Sequence, residues 1–250
     1  MRKLPKIIAA GPVARLIINR FWLTLCCFAL TVLLVLCAAT VSALQGKQPA
    51  AESQKAQTVI VDAGHGGFDG GAVVGNDIEK NINLAIALYL RDMLKLSGYR
   101  VIMTRESDRS TEGEKTGSIA SRKKADMQNR LKTMQNNLQA VFVSIHLNKF
   151  ESSGVCGAQI FYAAGVQGSK PLAQAIMQQV VAQTQPENKR AIKPNYASTY
   201  ILKNAPIPAV IAECGFMSNP AELAKLKNPD YQKQLAFAVY CGILAYFTES

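Results

Sequence analysis

From Thr58 onward the chain alternates short β-branched apolar runs with longer stretches of helical period, and few architectures accommodate that alternation. Thr58 to Asp62 (Thr-Val-Ile-Val-Asp) predicts a buried strand with glycines close behind it. Ile82, Ala85, Ile86, Tyr89, Leu90, Met93 and Leu94 then recur every three or four positions, which predicts a helix closed by Gly98. Further strands are predicted at Arg100 to Thr104, Ala140 to His146, Ala158 to Ala163 and Ala209 to Glu213. Helices are predicted near Arg122–Asn136, Ser169–Gln183 and Tyr231–Phe247. Strands separated by helices of this length imply an α/β sheet covered on both faces. Ligands of such sheets gather at the carboxyl ends of the strands, so the residues that close these runs are the ones to inspect. The order of the strands is not readable from the pattern.

Ahead of this region, Phe21 to Leu44 carries no charge and is rich in Leu, Val, Ala and Cys. At about 1.5 Å per helical residue it is long enough to cross a hydrocarbon core about 30 Å thick. Arg2, Lys3, Lys6, Arg15 and Arg20 precede it without a carboxylate, which predicts residues 1–20 as a basic cytosolic tail. Residues 21–44 are therefore expected to be a transmembrane anchor. Val41-Ser42-Ala43 also suits cleavage of a signal peptide, and either reading exports the rest of the chain to the cell envelope. Residues 45–57 are polar and aperiodic, a linker, and residues 58–250 read as one domain.

The formal net charge of +11 falls to +6 over the 206 residues that follow the apolar segment. The basic stretches there, Arg122 to Lys124 and Lys189 to Lys193, lack the interleaved aromatics of a base-stacking surface, so no nucleic-acid partner is expected. Cys26, Cys27 and Cys37 lie in the apolar segment, and Cys156, Cys214 and Cys241 have no CxxC spacing, so no disulfide framework is expected. Arg105 to Ser121 is polar and nearly devoid of apolar residues, which suits either a segment lining a cleft or a mobile insertion.

The whole chain holds two histidines, His65 just after the first predicted strand and His146 at the end of the third. A lone histidine is usually a satisfied core residue, but two at carboxyl ends of strands converge on one rim. A catalytic zinc site typically needs three protein ligands, so a carboxylate must join two imidazoles. Glu79 suits best: it follows Asp77, a good N-cap, and the unpaired amides of a helix start favour acidic groups. Asp62 and Asp69 are rivals, better placed to hydrogen-bond an imidazole from behind. Glu213 closes an apolar strand, where burial raises a carboxyl pKa toward that of a general base. Ion pairing with Arg105 or Lys80 is the plainer alternative. Cys214 points away from any site that Glu213 faces, because neighbours on a strand alternate. No GxSxG, P-loop or dinucleotide fingerprint occurs.

Five stretches in order, Ile60-Val-Asp-Ala-Gly-His65-Gly-Gly, Glu79-Lys80-Asn81, Val101-Ile-Met-Thr-Arg105, Ser144-Ile-His146-Leu-Asn148 and Val210-Ile-Ala-Glu213-Cys-Gly-Phe216-Met-Ser-Asn219, resemble the zinc-dependent N-acetylmuramoyl-L-alanine amidases of the third amidase class. The resemblance covers essentially all of residues 58–250. It implies Zn2+ held by His65, Glu79 and His146, with Glu213 as catalytic base, on a mixed central sheet flanked by helices. It further implies hydrolysis of the amide between N-acetylmuramic acid and L-alanine in peptidoglycan, and leaves room for an unknown accessory protein. A single domain behind a hydrophobic segment is similar to the germination-specific members, which act in spore cortex and help form muramic lactam. The competing expectations are a polysaccharide deacetylase, or a non-catalytic wall-binding protein on the same fold.

Overall fold

The computed structural model describes residues 23–25, 28–33, 57–112, 117–195 and 199–249. The chain divides into two units, Met1–Gln54 and Lys55–Ser250. In the first, Leu23–Leu25 and Phe28–Leu33 are helical with exposed side chains. The rest of the expected 1–20 tail and 21–44 anchor, and nearly all of the 45–57 linker, lie outside the described residues. Among the described residues no helix is long and apolar enough to cross a membrane.

Among the described residues the second unit contains eight strands: β1 (Thr58–Ala63), β2 (Val73–Val74), β3 (Asp77–Ile78), β4 (Arg100–Met103), β5 (Ala140–Asn148), β6 (Gln159–Ala163), β7 (Lys193–Asn195) and β8 (Ala209–Phe216). Six form one sheet in the order β4-β1-β5-β8-β6-β7, while β2 and β3 make a small hairpin. All neighbours in the large sheet are parallel except β6 and β8, so the sheet is mixed. The helices are α1 (Glu79–Leu96), α2 (Ile119–Gln135), α3 (Ser169–Gln183), α4 (Tyr200–Lys203), α5 (Pro220–Leu226) and α6 (Pro229–Glu249).

Strand alternation sorts the sheet into two faces. Val59, Val61, Val141, Val143, Ile145, Val210 and Ala212 point toward α1, α3 and α6, where Ile86, Leu90, Ile176, Leu235 and Val239 complete the larger core. Gly242 lets α6 reach α3, because a side chain there would strike the backbone of Ile176. The opposite face packs Ile60, Phe142, Ala209 and Ile211 against Leu131 and Met134 of α2 and Ile201 and Leu202 of α4. This second core is apolar only over the first half of each strand. Toward the carboxyl ends the same face presents Asp62, Ser144, His146 and Glu213.

Several boundaries differ from the sequence expectation. β5 continues two residues past His146 with a register irregularity before Asn148, and β8 runs on to Phe216, so neither His146 nor Glu213 is terminal. Asp77 does not cap α1. It is drawn into the β2–β3 hairpin and pairs with Lys227 at 3.0 Å, leaving Ile78 at the cap position without a side-chain bond. Among the described residues of Arg105 to Ser121 none lines the cleft, Arg105 and Glu112 are buried, and Ile119 already opens α2. Residues 113–116 lie outside the described residues.

Candidate active site

β1 delivers the chain into a tight turn in which Gly66 and Asp69 exchange backbone hydrogen bonds of 2.9 and 3.1 Å. Among the described residues His65 is the one non-glycine with positive φ, at 60°. That left-handed conformation costs on the order of 1–3 kcal/mol unless its surroundings enforce it. Here it aims the imidazole back over the ends of the strands. Asp69 Oδ2 lies 2.8 Å from His65 Nδ1, which turns Nε2 toward Glu79 Oε2 at 3.3 Å.

Glu79 opens α1 and is buried, with only 3% of its surface exposed. Its carboxylate accepts hydrogen bonds from the amides of Ala72 (2.8 Å) and Leu147 (3.1 Å) and from Asn83 Nδ2 (3.0 Å). His146 approaches from β5 with Nδ1 3.1 Å from Glu79 Oε1. The two imidazoles stand edge to face, 4.9 Å between centroids. Room for them is made by glycine: a methyl on Gly64 would strike the His146 ring, and one on Gly71 would sit 2.5 Å from Glu79 Oε2.

The structure therefore brings His65, Glu79 and His146 together, with one potential ligand atom from each within 4.8 Å of the others. Burial works against charge on both partners, yet the result favours it. The His65 imidazole is lowered by burial, but its hydrogen bonds to Asp69 and Glu79 more than offset this and raise it to about 9. Glu79 is raised by burial and then pulled well below the usual carboxylate range by His146 and His65. A buried carboxylate flanked by two imidazoles, fixed on its other lone pairs by N–H groups, is a nitrogen–oxygen donor set that fits zinc.

Glu213 lies opposite His146 in the parallel β5–β8 register. Its Oε2 is shielded from solvent and has no hydrogen-bond partner. Burial holds its pKa above the ordinary value, and the negative charge of Glu79 adds to this while His146 and His65 oppose it. The expected ion-pair alternatives are spoken for: Lys80 binds Asp108 at 2.7 Å, and Arg105 donates to backbone carbonyls. Asp62, a rival ligand by sequence, is consumed by Arg130, Ser144 and Thr104. Asp69 takes the supporting position behind His65 instead. Cys214 faces the larger core, where burial pushes its thiol up to about 12. Cys156 and Cys241 are likewise free thiols.

The cleft above these groups is walled by residues that the sequence reading did not single out: Lys123, Asp126, Met127 and Arg130 from α2, and Thr199 and Ile201 near α4. Lys123 Nζ reaches Asp69 Oδ1 at 3.0 Å. The signal that could have revealed the α2 wall is the Asp126–Arg130 spacing of four, which forms a buried ion pair of 2.8 Å.

Comparison with known proteins agrees with this geometry. A family profile for N-acetylmuramoyl-L-alanine amidase matches residues 59–245. The germination-specific N-acetylmuramoyl-L-alanine amidase of Bacillus subtilis (strain 168) is 37% identical over 191 residues, spanning 76% of this chain and 80% of that protein. The CwlD amidase of Clostridioides difficile, solved in complex with the GerS lipoprotein, is 41% identical with a TM-score of 0.74, covering 78% of this chain and 100% of that one. An N-acetylmuramoyl-L-alanine amidase from Clostridium difficile 630 gives 32% identity and a TM-score of 0.67 over 78% of this chain and 98% of that one. With the profile match extending over most of the chain, this protein belongs to the N-acetylmuramoyl-L-alanine amidase family.

Proposed function

We propose that the protein hydrolyses the amide between N-acetylmuramic acid and L-alanine in peptidoglycan, using zinc held by His65, Glu79 and His146 and Glu213 as the general base. The observation that carries this reading is the buried Glu79 carboxylate between two imidazoles, with the unpaired Glu213 oxygen on the adjoining strand. Zinc bound there supplies polarisation of the scissile carbonyl and a lowered pKa for water. The protein's own groups do the rest. Asp69, accepting from His65 Nδ1–H, leaves the lone pair on Nε2 and holds the ring in place. Asn83 and the amides of Ala72 and Leu147 keep the Glu79 carboxylate from rotating. Glu213, made more basic by burial, takes a proton from the attacking water. It then hands that proton to the departing L-alanine nitrogen, which leaves as a neutral amine.

The biological setting extends the same reading. Likeness to a germination-specific amidase supports a role in spore cortex, where removal of the peptide precedes muramic lactam formation. The lipoprotein bound to the Clostridioides difficile relative supports an accessory protein partner of that kind. The uncharged run of residues 21–44 supports tethering at the outer face of a membrane.

The test is incubation of the full zinc-loaded chain with peptidoglycan, with and without chelator, scoring newly freed L-alanine amino termini. Release that chelator abolishes bears the proposal out. Acetate in its place would mark a polysaccharide deacetylase, and zinc bound without any product would mark a wall-binding protein.

A further inference from the structure

Arg105 and Arg130 are buried to within 1% and 4% of full enclosure; Arg130 also lines the cleft, and the guanidinium of each reaches the main chain that carries the candidate ligands. They arrive from different elements, Arg105 just past β4 and Arg130 from the middle of α2. Their guanidinium groups converge on three successive carbonyls. Arg130 donates from Nη1 to Ala63 O (3.1 Å) and from Nη2 to His65 O (2.8 Å). Arg105 donates from Nε to Ala63 O (2.8 Å) and from Nη2 to Gly64 O (2.9 Å). The same Nη2 also reaches Lys80 O at 2.7 Å, one residue beyond Glu79. One nitrogen thus bridges the turn carrying His65 to the first turn of the helix carrying Glu79.

We infer that Arg105 and Arg130 are positioning residues for metal binding, a two-guanidinium clamp that sets the His65 backbone and its distance from Glu79. The inference rests on the metal reading above. Three independent features support it. His65 occupies a left-handed conformation that something must enforce, and the clamped carbonyls are its own and the two before it. Gly66 keeps the space open, because a methyl there would lie 2.4 Å from Arg109 O as well as 2.8 Å from Arg105 Cδ and 2.9 Å from its Nε. Finally, Arg130 has Asp62 and Asp126 as counter-charges, whereas the hydrogen bonds of Arg105 all go to main-chain carbonyls. A buried guanidinium with main-chain acceptors alone is a poor device for global stability and a good one for fixing backbone.

Lysine keeps the charge but cannot fork to separated carbonyls, so Arg105→Lys and Arg130→Lys in the full chain separate charge from geometry. Circular dichroism and thermal unfolding of the metal-free proteins give the folded fraction. Chelator competition gives the zinc dissociation constant of that fraction, and Co2+ substitution gives the visible ligand-field spectrum. The clamp requires a zinc affinity roughly 10–100-fold weaker at unchanged folded fraction, and an altered Co2+ spectrum. Wild-type affinity and spectrum in the folded variants would overturn it, as would a weakening fully accounted for by lost folding. Should a lysine variant fail to fold, Arg105→Gln, which breaks no ion pair, decides on the same two readouts. A wild-type chain that binds no zinc would instead sink the metal reading itself.

Discussion

His146 on β5 and Glu213 on β8 are direct cross-strand partners, so the imidazole and the unpaired carboxylate leave the same sheet face side by side. A parallel register places them there whatever the loops beyond do. The proximity of a candidate ligand and a candidate base is therefore a property of the sheet and not of a flexible connection.

Glu213→Gln preserves shape while removing the base. The variant is expected to retain zinc at wild-type stoichiometry and to lose about 10²–10⁴-fold in kcat on muropeptide. Metal analysis alongside initial rates checks both halves, and near-normal turnover would reassign the base.

His146→Ala and Glu79→Gln act on the donor set. Both are expected to lose bound metal and activity together, and added zinc should restore neither at micromolar concentration. Retained stoichiometric zinc in either variant contradicts the ligand assignment.

The raised pKa of Glu213 fixes the sign of the acid limb. The base must be ionised to work, so activity falls as pH drops through its folded pKa. That fall should come at higher pH than for a free glutamate, near 4.3. A kcat/KM profile measures it, and an acid limb at or below the free value would show that burial does not tune this group.

Gly64→Ala places a methyl against the His146 ring. The expected outcome is weakened zinc binding with little change in thermal stability, because the collision falls on a movable side chain. Isothermal titration with zinc, paired with a melting curve, distinguishes this from general unfolding.

Asp62 is raised by burial but held below its usual value by Arg130, Ser144 and Thr104. A depressed carboxylate stabilises the fold fully above its unfolded pKa of about 3.9, and loses that contribution as pH falls through the lower folded value. Asp62→Asn is therefore expected to lose about 3 kcal/mol near pH 7, since Arg130 is left with Asp126 alone. The gap from wild type should narrow below pH 4, as tracked by denaturant unfolding.

The parts legible in the sequence were those where polarity interrupts a period. His146 and Glu213 each break an apolar strand pattern, His65 follows one in a glycine-rich turn, and the three long helices over α1, α3 and α6 announce themselves by spacing. The cap of α1 was misread because Asp77 has the right chemistry for a cap, while hairpin pairing with Val74 removed it from that position. β2, β3, β7 and α4 are two to four residues long, too short for any period to register. Arg130 was invisible for a different reason. On a helix rich in lysine and arginine one more cation looks solvated, and only the folded chain shows it turned inward.

The reversed direction of β6 has a consequence for how this surface can diversify. β5 ends, and β6 begins, at the same edge as Glu213, since Gln159 pairs with that residue. Residues 149–158 thus leave and rejoin the sheet beside the reacting groups without crossing it. Insertions or deletions in this one connection can reshape the surface at that edge of the sheet while every strand stays in register. New surface chemistries can be accommodated there without renegotiating the core.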